Sequence, residues 1–266
     1  MMSRIESVFK SLSQRKEKAL IAYVMAGDPS LAQTAEIVFA IEKAGADLIE
    51  LGVPFSDPVA DGPTIQKASE RALRQGTTLR AVLETVTVLR RQTKIPILLM
   101  TYCNPIYAFG LLDFFKEAKG VGIDGVIIPD LPHEESKEFL TLSRRHGIDL
   151  IFMIAPTSPP ERAERLVKEG SGFIYYVSLT GITGVPLTEQ GAVQERIRKL
   201  KAMTALPIAV GFGISTPEAA KEMAQAADGI IVGTALVKIV EAAENDPAYL
   251  SRLTDLIASL KAATRA

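Results

Sequence analysis

Along the 266-residue chain, short apolar runs alternate with longer stretches whose apolar positions recur every three or four residues. The apolar runs are ALIAYVM (19–25), DLIELGV (47–53), IPILLMT (95–101), GVIIP (125–129), DLIFMIA (149–155), GFIYYVS (172–178), LPIAVG (206–211) and GIIVG (229–233), eight in all. They lack the alternation of a strand with one wet face, so each is predicted to be a strand buried on both sides, as in a parallel sheet. Between them SLAQTAEIVFAIEKAG (30–45), LLDFFKEAKGVG (111–122) and TPEAAKEMAQAA (216–227) carry helical spacing. Eight strand–helix units in a chain of this length predict a closed (β/α)8 TIM barrel. A doubly wound open sheet is the alternative, and the lack of a GxGxxG after the first strand counts against it. A helix before the first strand and another over 247–263 are expected to cover the barrel ends. No low-complexity segment or linker divides the chain, so residues 1–266 are expected to form a single domain.

Composition narrows the classes. Thirty basic and thirty-one acidic residues nearly cancel, so nothing suggests a nucleic-acid binder, which would need a clustered basic excess. The apolar runs fall short of the ~20 residues of a membrane span, and the charged N-terminal stretch has no apolar signal core. One cysteine, Cys103, excludes an internal disulfide framework and fits a reducing compartment. The expectation is a soluble cytoplasmic protein without membrane or nucleic-acid partners.

The stretch LIELGVPFSDPVADGP (48–63) departs from the pattern, because an acid, Glu50, lies within a strand and a loop stiffened by Pro54, Pro58 and Pro63 follows. Glu50 falls near the C-terminal end of the second strand, the end at which such barrels do chemistry. A salt-bridged or capping acid is the bland reading. For Asp61 that reading is stronger, since Gly62-Pro63 and a helical run follow and Asp is a favoured N-cap.

Three glycine-rich loops, LTGITG (179–184), GFGIST (211–216) and VGTA (232–235), follow the sixth, seventh and eighth strands. Loops there commonly bind phosphate through main-chain N–H groups and a helix N-terminus; the alternative is that Gly211, Gly213 and Gly233 only make tight turns. His133 and His146 lack a second histidine at ligand spacing, which argues against a metal site. No lysine lies in the strand runs, which disfavours Schiff-base chemistry, and Cys103 has no base beside it. Glu50, Asp61 and Asp130 remain for proton transfer, with tyrosines as helpers. Tyr23, Met100, Tyr102, Phe152, Tyr175 and Ile231 lie at or near strand ends, either as plain core or as an apolar pocket beside the phosphate cradle.

GDPS (27–30), ELGVPFSDPVADGPTIQ (50–66), GITG (181–184), GFGIS (211–215) and VGTALVKI resemble the tryptophan synthase alpha subunit nearly end to end. The resemblance implies a lyase that cleaves indole-3-glycerol phosphate to indole and D-glyceraldehyde 3-phosphate. It implies no cofactor in this chain and a pyridoxal-phosphate-containing beta subunit that receives indole within an α2β2 complex. By the same resemblance Glu50 is the general acid/base and Asp61 the acid that accepts the indole N–H. Gly184, Gly213, Gly233 and Thr234 match phosphate-binding positions. Tyr23, Met100, Tyr102, Tyr175, Phe212 and Ile231 match the indole pocket, Thr183 matches a lid residue, and Pro54, Asp57 and Asn104 match partner-facing positions. Leu179-Thr180 departs from the Arg-Ser pair of some members. Two rivals stand beside this reading: another phosphosugar barrel enzyme, and a noncatalytic subunit that binds a phosphorylated ligand.

Overall fold

The computed structural model describes residues 2–177, 187–211, 213–243 and 245–265, with backbone alone at 187–190 and 192. In chain order the elements are α1 (Arg4–Gln14), β1 (Ala19–Met25), α2 (Leu31–Ala44), β2 (Leu48–Gly52), α3 (Pro63–Arg74), α4 (Leu79–Leu89), β3 (Ile97–Met100), α5 (Cys103–Phe109), α6 (Leu111–Val121), β4 (Gly125–Ile127), α7 (Lys137–His146), β5 (Asp149–Ile151), β6 (Met153–Ile154), α8 (Pro160–Glu169), β7 (Ile174–Val177), α9 (Leu187–Lys201), β8 (Ile208–Gly211), α10 (Pro217–Ala226), β9 (Gly229–Val232), α11 (Thr234–Glu241) and α12 (Tyr249–Ala263). Every strand pair is parallel, in the order β5-β4-β3-β2-β1-β9-β8-β7-β6. The two ends of that order, β5 and β6, are halves of the fifth predicted run, divided at Phe152, so the sheet curls round until its edges meet in one piece of chain. Phe152 still accepts a hydrogen bond from Tyr175 N (3.0 Å), which carries the ladder across the break. The fold is the (β/α)8 barrel that the alternation predicts.

Period-two geometry sorts each strand between two apolar layers. Ile21, Leu48, Leu98, Ile127, Ile151, Tyr175, Ala209 and Ile231 pack together inside the barrel. Val24, Ile49, Leu51, Leu99, Leu150, Val210 and Val232 pack outward against the helices. Phe152 belongs to the outer layer, so it is not a pocket residue.

The terminal helices do different work from one another. α1 closes the N-terminal end of the barrel, where Ile5, Phe9 and Leu12 join the interior cluster and Phe9 meets Phe173 with ring centroids 5.6 Å apart. α12 covers no end; it packs against α2, α10 and α11 in the helical layer, because its buried Leu253, Ile257 and Leu260 match the outward strand faces. No helix among the described residues is long and apolar enough to cross a membrane.

Three acids at the N-terminal end of the strands are paired with bases. Asp47 accepts from Leu20 N (2.8 Å) and Lys261 Nζ (2.8 Å). Asp124 accepts from Ile97 N (2.9 Å) and from Arg4 and Arg90 at 2.8 and 2.6 Å. Asp228 accepts from Ile208 N (3.0 Å) and Lys201 Nζ (2.8 Å). A base and a strand N–H meet each of these three carboxylates and offset part of the cost of burying it, whereas Asp149 at the start of β5 leaves Oδ2 without a partner among the described residues.

Candidate active site

Glu50 has none of this support. It faces inward from β2 between Leu48 and Gly52, its Cα registers with Tyr23 on β1 and Leu98 on β3, and it is 0% exposed. Neither carboxyl oxygen has a hydrogen-bond partner among the described residues. An ionised carboxylate without a partner in such a place is costly, so the group holds its proton. Burial first, and the charge of Asp61 second, push its pKa up to about 8.

Asp61 ends the loop after β2. The residue at the N-cap of α3 is Gly62, no side chain caps that helix, and Pro63 opens it. The capping explanation for Asp61 therefore fails. Burial raises its pKa to about 6, with the Tyr102 hydroxyl pulling the other way, so it stays largely ionised at neutral pH. One acid is kept protonated and a neighbouring one ionised, an arrangement suited to opposite proton roles.

The loop that carries Asp61 is pinned along its length. Phe55 N donates to Ser69 Oγ (2.8 Å), which donates back to Phe55 O (2.9 Å). Ala60 N donates to the Tyr102 hydroxyl (3.2 Å), and Gln66 Nε2 donates to Asp61 O (2.8 Å). The Tyr102 ring packs on Phe55 at 5.3 Å.

Around Glu50 the interior is apolar with two phenol edges. Tyr175 and Ile231 belong to the inner cluster, Tyr23 to a smaller cluster with Met25, Ala68, Ala72 and Val237, and Met100 packs against both. Glycines make room for the tyrosines. A Cβ built on Gly211 would fall 2.6 Å from the Tyr175 hydroxyl, and Gly52 stands in the same relation to Tyr23. Burial and the charges of Glu50 and Asp61 raise both phenols well above their ordinary pKa, so they remain protonated donors.

Where the sequence suggests a phosphate cradle, Gly233 is the N-cap of α11, no side chain caps that helix, and Thr234 is exposed. Gly213 has φ +75°, a left-handed conformation that favours glycine. Thr183, Gly184, Phe212 and the Leu179-Thr180 pair lie outside the described residues. Asp57 and Asn104 are exposed whereas Pro54 is buried. Asp130 is already engaged, accepting from Cys103 N at 2.9 Å. Sequence reasoning missed Gly52, Gly211 as a spacer, Ser69 and Gln66; the partners of the first three lie 14 or more residues away, and that of Gln66, Asp61, is a backbone carbonyl that no side-chain pattern marks.

A buried acid that holds its proton near the C-terminal end of a barrel strand, under the charge of a second acid, is the kind of pair with which enzymes of the (β/α)8 class move protons. Comparison with known proteins carries this to a family. A family profile described as tryptophan synthase alpha chain matches residues 9–265. The tryptophan synthase alpha chain of Geobacter sp. (strain M21) is 50% identical over 260 residues, which is 98% of this chain and 97% of that one. The crystal structure of tryptophan synthase subunit alpha from Legionella pneumophila str. Paris superposes with a TM-score of 0.92 at 38% identity, covering 99% of both chains. A structure of Mycobacterium tuberculosis tryptophan synthase gives 0.91 at 37% identity over 100% of both. The chain belongs to the tryptophan synthase alpha chain family. It is a lyase of tryptophan biosynthesis that cleaves indole-3-glycerol phosphate to indole and D-glyceraldehyde 3-phosphate, and the family implies a beta-subunit partner.

Proposed function

We propose that Glu50 and Asp61 divide the acid–base work of this cleavage. The carbon–carbon bond breaks only when indole leaves as a neutral arene, so the ring carbon that bears the glycerol chain must first take a proton. Glu50 gives that proton, and as a carboxylate it then accepts the proton of the adjacent glycerol hydroxyl. That oxygen becomes the aldehyde, and the bond electrons return to the ring. Asp61 accepts a hydrogen bond from the indole N–H and stabilises the cation formed by ring protonation. The observation that carries the reading is the fully buried Glu50 carboxyl with neither oxygen partnered, raised to a pKa of about 8.

Tyr23, Met100, Tyr102, Tyr175, Phe212 and Ile231 hold the indole end, while Gly184, Gly213, Gly233 and Thr234 hold the phosphate. The uncapped N-terminus of α11 supports the second assignment. Thr183 closes over Asp61 as part of a lid. The working form is an α2β2 complex in the cytoplasm, with pyridoxal phosphate in the beta subunit, and residues 1–266 act as one barrel domain. The beta subunit docks on the side of Asp57 and Asn104, and the buried Pro54 serves that side by stiffening the loop.

Indole release from indole-3-glycerol phosphate, followed with and without a beta subunit for wild type and Glu50→Gln, tests the reading. We expect the beta subunit to accelerate wild type at least tenfold, ~1.4 kcal/mol of barrier. Glu50→Gln is expected to lose at least ~10²-fold, the scale of general acid catalysis. A variant that keeps more than about a tenth of wild-type turnover removes Glu50 from the role, and a bound partner that leaves the rate unchanged removes the coupling.

A further inference from the structure

Arg71 lies in the last turn of α3, on the far side from the acids. Its Nε and Nη2 grip Asp28 Oδ1 and Oδ2 at 2.8 Å each, and its Nη1 meets Glu241 Oε1 at 3.0 Å. Asp28 is 2% exposed, in the loop that leaves the C-terminal end of β1; Glu241 is the last residue of α11. One guanidinium therefore joins three segments of the catalytic face, and a bidentate fork fixes direction as well as distance. Beneath it Ala68 and Ala72 of α3 and Val237 of α11 pack with Tyr23 and Met25 of β1 in a single apolar seam.

The two helices joined in this way begin at the two ends of the reaction. α3 carries Gln66 and Ser69, the side chains that pin the Asp61 loop. α11 begins at Gly233 and Thr234, the phosphate end. We propose that Arg71 is a positioning residue that couples the phosphate cradle to the Asp61 loop, so that occupation of the cradle sets the placement of the catalytic acid. The proposal rests on the reading of Gly233 and Thr234 as phosphate contacts. A lysine at 71 keeps the charge but loses the fork, and Glu241→Gln weakens only the α11 end of the clamp, taking its charge and leaving a neutral acceptor, at a partly exposed position.

The test compares wild type, Arg71→Lys and Glu241→Gln with glycerol 3-phosphate as the probe, by hydrogen exchange and by titration, and then by steady-state cleavage. In wild type the probe should slow exchange both at residues 230–238 and at residues 55–62. In the two variants we expect protection at 230–238 with probe affinity within about threefold of wild type, loss of protection at 55–62, and a kcat reduced more than KM is raised. Arg71→Lys should lose about tenfold in kcat and Glu241→Gln less. A purely structural clamp would instead lower the melting temperature and shift kcat and KM together. Equal protection at 55–62 in all three proteins overturns the coupling, and so does wild-type protection confined to 230–238. If the probe does not bind wild type, the phosphate assignment falls and the proposal with it. If it binds and protects as expected but Glu50→Gln still turns over, only the acid–base assignment is wrong. Should Arg71→Lys fail to fold, Glu241→Gln alone decides.

Discussion

The Tyr23 hydroxyl occupies the place where any side chain at position 52 would begin: a Cβ built on Gly52 falls 2.2 Å from that oxygen and 2.7 Å from Cζ of the ring. The glycine two residues beyond Glu50 thus reserves space for a phenol beside the acid. Gly52→Ala is expected to displace Tyr23, destabilise the fold by ~1–3 kcal/mol as overpacking does, and lower turnover. Adding Tyr23→Phe to that variant should restore part of the stability, since the closest clashing atom is gone. Calorimetry on the single and double variants checks this, and an unchanged melting temperature in Gly52→Ala would show that the ring yields freely.

The two acids set a pH window. If Asp61 must be ionised and Glu50 protonated, kcat/KM should fall below about 6 and above about 8, with both apparent values belonging to the interacting pair. Stability should follow the raised Glu50 pKa as well. Folded Glu50 holds its proton up to about 8 whereas the unfolded chain releases it near 4.5. Between those values the unfolded state binds fewer protons, so the Glu50 contribution is fully present below 4.5, is lost as pH rises, and levels off above 8. Glu50→Gln should therefore become more stable relative to wild type across that interval, by a few kcal/mol in all. A stability difference that does not vary with pH would mean that Glu50 ionises inside the fold as easily as outside it.

Because Gly62 and not Asp61 sits at the N-cap of α3, and because burial disfavours the ionised carboxylate, Asp61→Asn should hold or raise the melting temperature at neutral pH and still remove most cleavage. The acid limb of the pH profile should vanish with it. Near-normal turnover in this variant would return Asp61 to a structural role.

Tyr102 supplies a hydroxyl to Ala60 N at 3.2 Å and also lowers the Asp61 pKa. Tyr102→Phe takes both away. The acid limb should move above 6, because a carboxylate that loses a donor is easier to protonate. Turnover at neutral pH should drop about fivefold, the scale of one ~1 kcal/mol hydrogen bond. An acid limb that stays in place would exclude Tyr102 from the electrostatics of Asp61.

Much of this was legible before any coordinates, because strands buried on both faces write themselves as unbroken apolar runs. Glu50 stood out for the same reason: an acid inside such a run has no surface to escape to. Asp61 was ambiguous, since an Asp before Gly-Pro reads equally well as a cap, and only the backbone at Gly62 separates the two readings. Phe152 looked like its pocket neighbours because inward and outward positions are equally apolar in a sheet covered on both sides. The last helix was misplaced because an amphipathic pattern records that one face is buried and not which surface buries it. The Gly52–Tyr23 contact and the Arg71–Asp28 fork join residues far apart in sequence, and no periodicity encodes such pairs.

The helix at the base has a further consequence for traffic. With Ile5, Phe9 and Leu12 wedged against the innermost side chains, and Ile5 close enough that a Cβ at Gly125 would lie 3.0 Å from its Cδ1, the barrel is a flask stoppered at the bottom. Whatever is made beside Glu50 is barred from leaving through the base. A small, oily product such as indole is then turned away from the base, toward the C-terminal face, and whichever molecule sits over that face decides whether it is handed on or lost to water.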